Sequence, residues 1–164
     1  MRGSTHAAAG IATGILLSNC FDINTGQSLL YTACSIIGSL FPDIDNTSSK
    51  IGQHTKPASY LIQLFIGHRT FFHAPVIYLI AAILITSAYP GTAIFCTAFL
   101  AGAASHLTLD SLNPAGIPLF WPLNKHFNIA KFQSGGIMDR CLGLLLWIFV
   151  LFLLWKKASL IITL

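Results

Sequence analysis

Five apolar stretches, at about residues 7–21, 28–41, 74–89, 91–109 and 141–155, take up most of this chain. Each is too uniformly hydrophobic to be a helix with one wet face. Several run to only about 15 residues, or about 22 Å of helix against a hydrocarbon core of about 30 Å. Such helices either recruit their polar-flanked ends or embed only partly. A soluble domain of 164 residues could not hide this much apolar surface at 54% hydrophobic and 9% charged. The expected fold is therefore all-α and a single domain over residues 1–164: a polytopic membrane helical bundle of about five spans. Residues 60–66 form a further apolar piece, too short to span and expected at the interface or against the bundle.

The turns and contacts of such a bundle are marked. Gly10 with Gly14, and Gly102 with Ala103 and Ala104, thin two helices for close approach to neighbours. Pro90-Gly91 breaks the third and fourth stretches into a helical hairpin, and Asn113-Pro114 ends the fourth. The early interruption by His6 and glycines argues against a cleavable signal peptide. Cys20, Cys34, Cys96 and Cys141 are mutually distant and form no CxxC pair, so thiolate metal sites and disulfides are not expected.

Charge orients the model. With the N-terminus cytoplasmic, Arg2, Lys50, Lys56, Arg69, Lys125, Lys131 and Arg140 fall inside, and only Lys156 and Lys157 fall outside. A last segment that re-enters or lies in the interface would remove those two exceptions. No basic cluster exceeds the Lys156-Lys157 pair, which makes nucleic acid an unexpected partner.

The ionisable residues are spent sparingly. All five acids are aspartates, and four clusters hold most of the histidines and aspartates: His6, Asp43 with Asp45, His68 with His73, and His106 with Asp110. In the five-span topology these residues fall at helix ends on one side, the cytoplasmic one. His106 and Asp110 are four apart, which puts both on one helical face at chelating distance. Asp43-Ile-Asp45 follows an apolar helix, where a loop can aim two carboxylates at one cation. His68 and His73 are five apart and would diverge by about 140° on one helix. One of them must then sit on a loop, with Thr70 as helix cap and His73 in the first turn. His54 and His126 lie in polar loops, where a solvated imidazole is the default.

Imidazole and carboxylate donors without thiolate suit Zn²⁺ first, and Mn²⁺ or Fe next. Seven such residues exceed one tetrahedral shell, so one or two divalent ions are expected. A two-ion centre activates water for phosphoester hydrolysis. Arg69 could contact a phosphate through its planar fork, or anchor a lipid headgroup.

Leu40-Phe-Pro-Asp-Ile-Asp45, Gly67-His-Arg-Thr-Phe-Phe-His73 and the run from Ser105 to Pro122, together with Thr5-His6, resemble the YdjM-type family of bacterial membrane-bound metal-dependent hydrolases. The resemblance covers roughly residues 4–145. It implies an inner-membrane location, control of some members by the DNA-damage repressor LexA, and a pattern similar to zinc-dependent phospholipase C. By motif it makes His6, Asp43, Asp45, His68, His73, His106 and Asp110 the metal-site residues. Gly135-Gly-Ile-Met-Asp139 is similar to the family's glycine-then-acid segment, with Asp in place of the usual Glu. That suggests Asp139 as a further ligand or base, or alternatively as an ion-pair partner of Arg140 or Lys131. Phe72 and Ala74 depart from the hydroxyl residues that many members place around the second histidine.

Three readings stay open. One is a hydrolase of a phosphoester or ester in a lipid-like substrate, working through a metal-activated water with membrane lipids as its partners. A second is a non-enzymatic metal-binding or ion-transporting membrane protein. The third is a membrane protein whose His and Asp residues only pair with each other.

Overall fold

The computed structural model describes residues 1–46, 53, 60, 71–123 and 125–162. Within them lie five α-helices: α1 (Gly3–Ser18), α2 (Thr25–Leu40), α3 (Pro75–Ala88), α4 (Ala93–Ser111) and α5 (Ile137–Ile162). Short 3₁₀ turns, Phe41–Asp45, Phe71–His73 and Pro90–Thr92, follow α2, precede α3 and join α3 to α4. No strand occurs among the described residues; the nearest thing is a single antiparallel bridge between Ile117 and Phe127. The helical bundle and the Pro90-Gly91 hairpin are as the sequence implies. His54, His68, Arg69, Thr70, Lys50, Lys56 and the piece at 61–66 lie outside the described residues.

Local chemistry sets the helix limits. Asn24 and Gln27 form a reciprocal capping box at the start of α2. Pro75 opens α3 at a position where its missing N–H costs nothing. That placement corrects one expectation: His73 sits in the 3₁₀ turn before α3 and not in the helix's first turn, because the helix starts at the proline.

Helices α1, α2 and α4 pack closely where side chains are smallest. A Cβ at Gly102 would overlap the carbonyl oxygen of Ser35, one at Gly38 that of Phe99, and one at Gly14 would come 2.8 Å from the Thr32 Cα. With backbones this near, Ser35 donates to the carbonyl of Gly10 at 2.9 Å and ties α2 to α1. Helix α5 packs on α1 through Val150 and Leu153 against Ala8, Ala12 and Ile15.

The stretches Pro90–Ser111 and Ile137–Ser159 are long and apolar enough to cross a membrane, and Pro75–Ala88 is apolar but shorter. Helix α5 is continuous over 26 residues, or about 39 Å. The helix has no break over that length. Lys157, near the end of α5, reaches the hydroxyl of Ser28 at 2.6 Å, and Ser28 donates to Ser18. Its charge is held at the end of the α1–α2 hairpin remote from His6.

Candidate metal centre

Four helix ends converge. His6 lies in the first turns of α1, Asp43 and Asp45 in the turn after α2, His73 in the turn before α3, and His106 with Asp110 in the last turns of α4. His6, Asp45, His73, His106 and Asp110 are all buried. Asp110 is the hub: its Oδ1 lies 3.3 Å from His6 Nε2, and its Oδ2 lies 3.6 Å from His73 Nε2 and 3.7 Å from His106 Nε2. On its other side His73 places Nδ1 3.4 Å from Asp45 Oδ2. The rings of His6 and His106 stack with centroids 3.7 Å apart, and His73 meets His106 edge-on at 5.4 Å.

Two overlapping groups have ligand atoms all within 4.8 Å of one another: His6, His106 and Asp110, and Asp43, His73 and His106. With Asp45 beside His73, the fold gathers every described member of the expected set. His68 lies outside the described residues. His126 is remote in role: it is exposed and its Nδ1 contacts the Ala115 carbonyl at 2.9 Å.

One hydrogen bond fixes the chemistry of the group. His106 Nδ1 lies 2.8 Å from the carbonyl oxygen of Ser39. A carbonyl only accepts, so Nδ1 carries a proton, and in the neutral imidazole Nε2 presents a lone pair. That lone pair points toward a carboxylate oxygen, an acceptor facing an acceptor. His6 Nδ1 and His106 Nε2 are shut off from solvent without a hydrogen bond, and His6 Nε2 faces the Asp110 carboxylate at 3.3 Å. Each such orphan costs about 1–3 kcal/mol in a folded protein. A divalent cation removes these conflicts together, and imidazole held by a backbone carbonyl is the usual second contact of a metal-binding histidine. The donor set thus fits a Zn²⁺-type ion. The backbone nitrogen of Met1 lies 2.7 Å from Asp110 Oδ1.

The two groups just outside the helices are perturbed by their surroundings. Burial pushes the Asp43 carboxyl up, against the opposing pull of the His6 charge. Burial alone would lower His73, but the neighbouring Asp110 and Asp45 carboxylates outweigh it and hold the imidazole above its ordinary value. A metal ion here competes with that proton.

Asp139 has different company. Its carboxylate, wholly buried, accepts from Gly135 N at 2.7 Å, Arg2 N at 3.0 Å and Thr5 Oγ1 at 2.9 Å. Its ion-pair partner is Arg2 at 3.6 Å, not Arg140 or Lys131. Arg140 turns instead to the Gly135 carbonyl. Asp139 thus binds the start of α5 to the first turn of α1, one residue from His6, and belongs to neither close group of candidate ligands. Asp139→Asn replaces one of two accepting oxygens with a donor, so that either the Thr5 hydroxyl or the pair of backbone amides loses its acceptor, and is expected to cost about 1–3 kcal/mol in thermal unfolding. Metal affinity, read by titration calorimetry, falls about 10–100-fold through His6 without loss of stoichiometry.

Of two further contributors, one carries no sequence signal and the other is marked only as the neighbour of His6. The Ser39 carbonyl acts as backbone, and Thr5 acts through a residue 134 positions away.

The family model described as YdjM inner membrane protein matches residues 1–163. The chain is 34% identical over 144 residues to the uncharacterized protein YvsG of Bacillus subtilis, covering 88% of each. It is 33% identical over 121 residues to the inner membrane protein YdjM of Escherichia coli, covering 69% of this chain and 62% of that one. The Shigella flexneri protein of the same name matches to the same extent. No solved structure matches.

Proposed function

The chain belongs to the YdjM inner membrane protein family, and from that membership we propose a multi-pass protein of the bacterial inner membrane that acts as a metal-dependent hydrolase. Its His/Asp centre faces the cytoplasm, and its substrate is a phosphoester or ester of a lipid-like molecule. The observation that carries this reading is the buried convergence of His6, His106 and Asp110, one ligand atom from each lying within 4.8 Å of the others.

His6, His106 and Asp110 would hold one divalent ion, and Asp43, Asp45 and His73 would complete the shell or hold a second, with Zn²⁺ first and Mn²⁺ or Fe next. Bound there, such an ion supplies Lewis acidity toward water and a phosphoryl or carbonyl oxygen. The chain's own part is to hold that geometry. The Ser39 carbonyl keeps His106 in one tautomer, Asp110 joins three helix ends through two oxygens, and burial excludes bulk water so that each charge acts strongly. His68 and Arg69 are carried over from the motif as a further ligand and a phosphate contact.

Elemental analysis of the purified chain tests the metal, and hydrolysis of phosphodiester and acyl-ester lipids in vesicles tests the reaction. One or two ions per chain with chelator-sensitive hydrolysis is the expected result. Stripping the ion lowers the unfolding temperature, and returning it at 100 times its Kd restores about 2.7 kcal/mol. Bound metal without hydrolysis of any ester tested, together with metal uptake into vesicles, would favour the non-enzymatic alternative. A stability indifferent to chelator sinks both readings.

A further inference from the structure

The face of α4 turned away from His106 borders a groove. Two cavities, of about 300 and 260 Å³, share Pro75, Ala104 and Leu107 and so form one channel between α3, α4 and the loop that follows α4. Its upper part runs along Leu79, Leu100 and Ala101, and its lower part passes Ile117, Phe127 and Ile129. The few hydroxyls on its walls are turned elsewhere: Thr108 donates to the Ala104 carbonyl, Ser111 to the Thr108 carbonyl and Tyr78 to the Phe72 carbonyl. Nothing along the channel offers a donor to a polar guest, so its surface fits hydrocarbon.

The surroundings select which hydrocarbon. Beside the channel α3 exposes Leu79, Ile80, Ile83 and Leu84, an outer face as apolar as the groove and suited to acyl chains. At the opposite end the loop exposes Phe127 and Ile129 next to the exposed Lys125 and Lys131. An apolar slot leading to a greasy, basic loop matches an amphiphile with a negative head. The channel also passes the metal centre closely in sequence: Pro75 is two residues from His73, and Ser111 adjoins Asp110.

We infer that this groove is a binding site for one acyl chain of an anionic glycerophospholipid, with the headgroup held at the Lys125–Lys131 loop near the His/Asp centre. That this lipid is also the substrate rests on the hydrolase reading; its binding does not.

The probe is a phosphatidylglycerol carrying a photoactivatable group in its acyl chain, mixed into phosphatidylcholine vesicles that contain the full chain. Ala104 is exposed in the shared part of the groove, so Ala104→Trp fills the channel without entering the core. Labelling is expected on residues 75–79, 100–111 and 117–129, and Ala104→Trp should reduce it about tenfold with bound metal unchanged. His106→Ala should lose metal and keep the label, which separates failure of the groove from failure of the metal centre. Labelling spread evenly over the exposed face of α5, cross-linking to a second copy of the chain, or full labelling of Ala104→Trp would each overturn the inference.

Discussion

Asp110→Ala is expected to leave the protein without bound metal. Its two oxygens meet His6, His73 and His106, so truncation removes the hub around which three buried imidazoles gather. The loss in affinity should exceed the 10–100-fold typical of outer-shell partners, and any hydrolysis should vanish with it. Elemental analysis and an activity assay on the same preparation read both. Asp110→Asn keeps the shape and serves as the companion variant: it retains one neutral oxygen donor and should bind metal weakly while remaining folded. Full metal content in either variant would mean that the ion sits elsewhere.

The second large effect is steric. Gly102→Leu drives a side chain into the Ser35 carbonyl, which lies against the glycine, and toward the Ser39 amide at 2.9 Å from the first added carbon. Backbone cannot step aside as a flexible side chain can, so α4 must shift from α2. A cost of about 3 kcal/mol or more is expected, the upper end for overpacking. The same displacement breaks the contact of His106 with Ser39, so metal binding should fall even in molecules that stay folded. Gly91→Ala is the matching control. A Cβ there meets nothing within 4 Å, and its stability should stay within about 0.5 kcal/mol of the parent. Chemical denaturation in detergent micelles ranks the three proteins.

Much of this arrangement was legible in the residues. The apolar stretches announce the five helices, and an isolated His or Asp at the border of such a stretch is costly enough to stand out. Alternation of helix direction then puts His6, the Asp43–Asp45 corner, His73 and Asp110 at one end, where the fold indeed gathers them. What escaped was whatever depends on backbone or on distance along the chain. Asp139 reads as a further ligand or base, or as an ion-pair partner of Arg140 or Lys131, yet the loop at Gly135 and the start of α1 present three donors from which a local reading could name none. His73 reads as helical until Pro75 is weighed as a helix opener. Ser39 is one serine among several in α2, and only the close passage of Gly102 makes its carbonyl a partner for His106.

That carbonyl has a consequence for how many cations can be taken up. His106 belongs to both close groups of ligand atoms, but with Nδ1 spoken for by Ser39 it has one lone pair to give. The two groups therefore cannot be filled as independent equals. A second ion would have to lean on the paired oxygens of Asp110 as a bridge, and a titration should show unequal, stepwise occupancy with the first equivalent held far more firmly than the next.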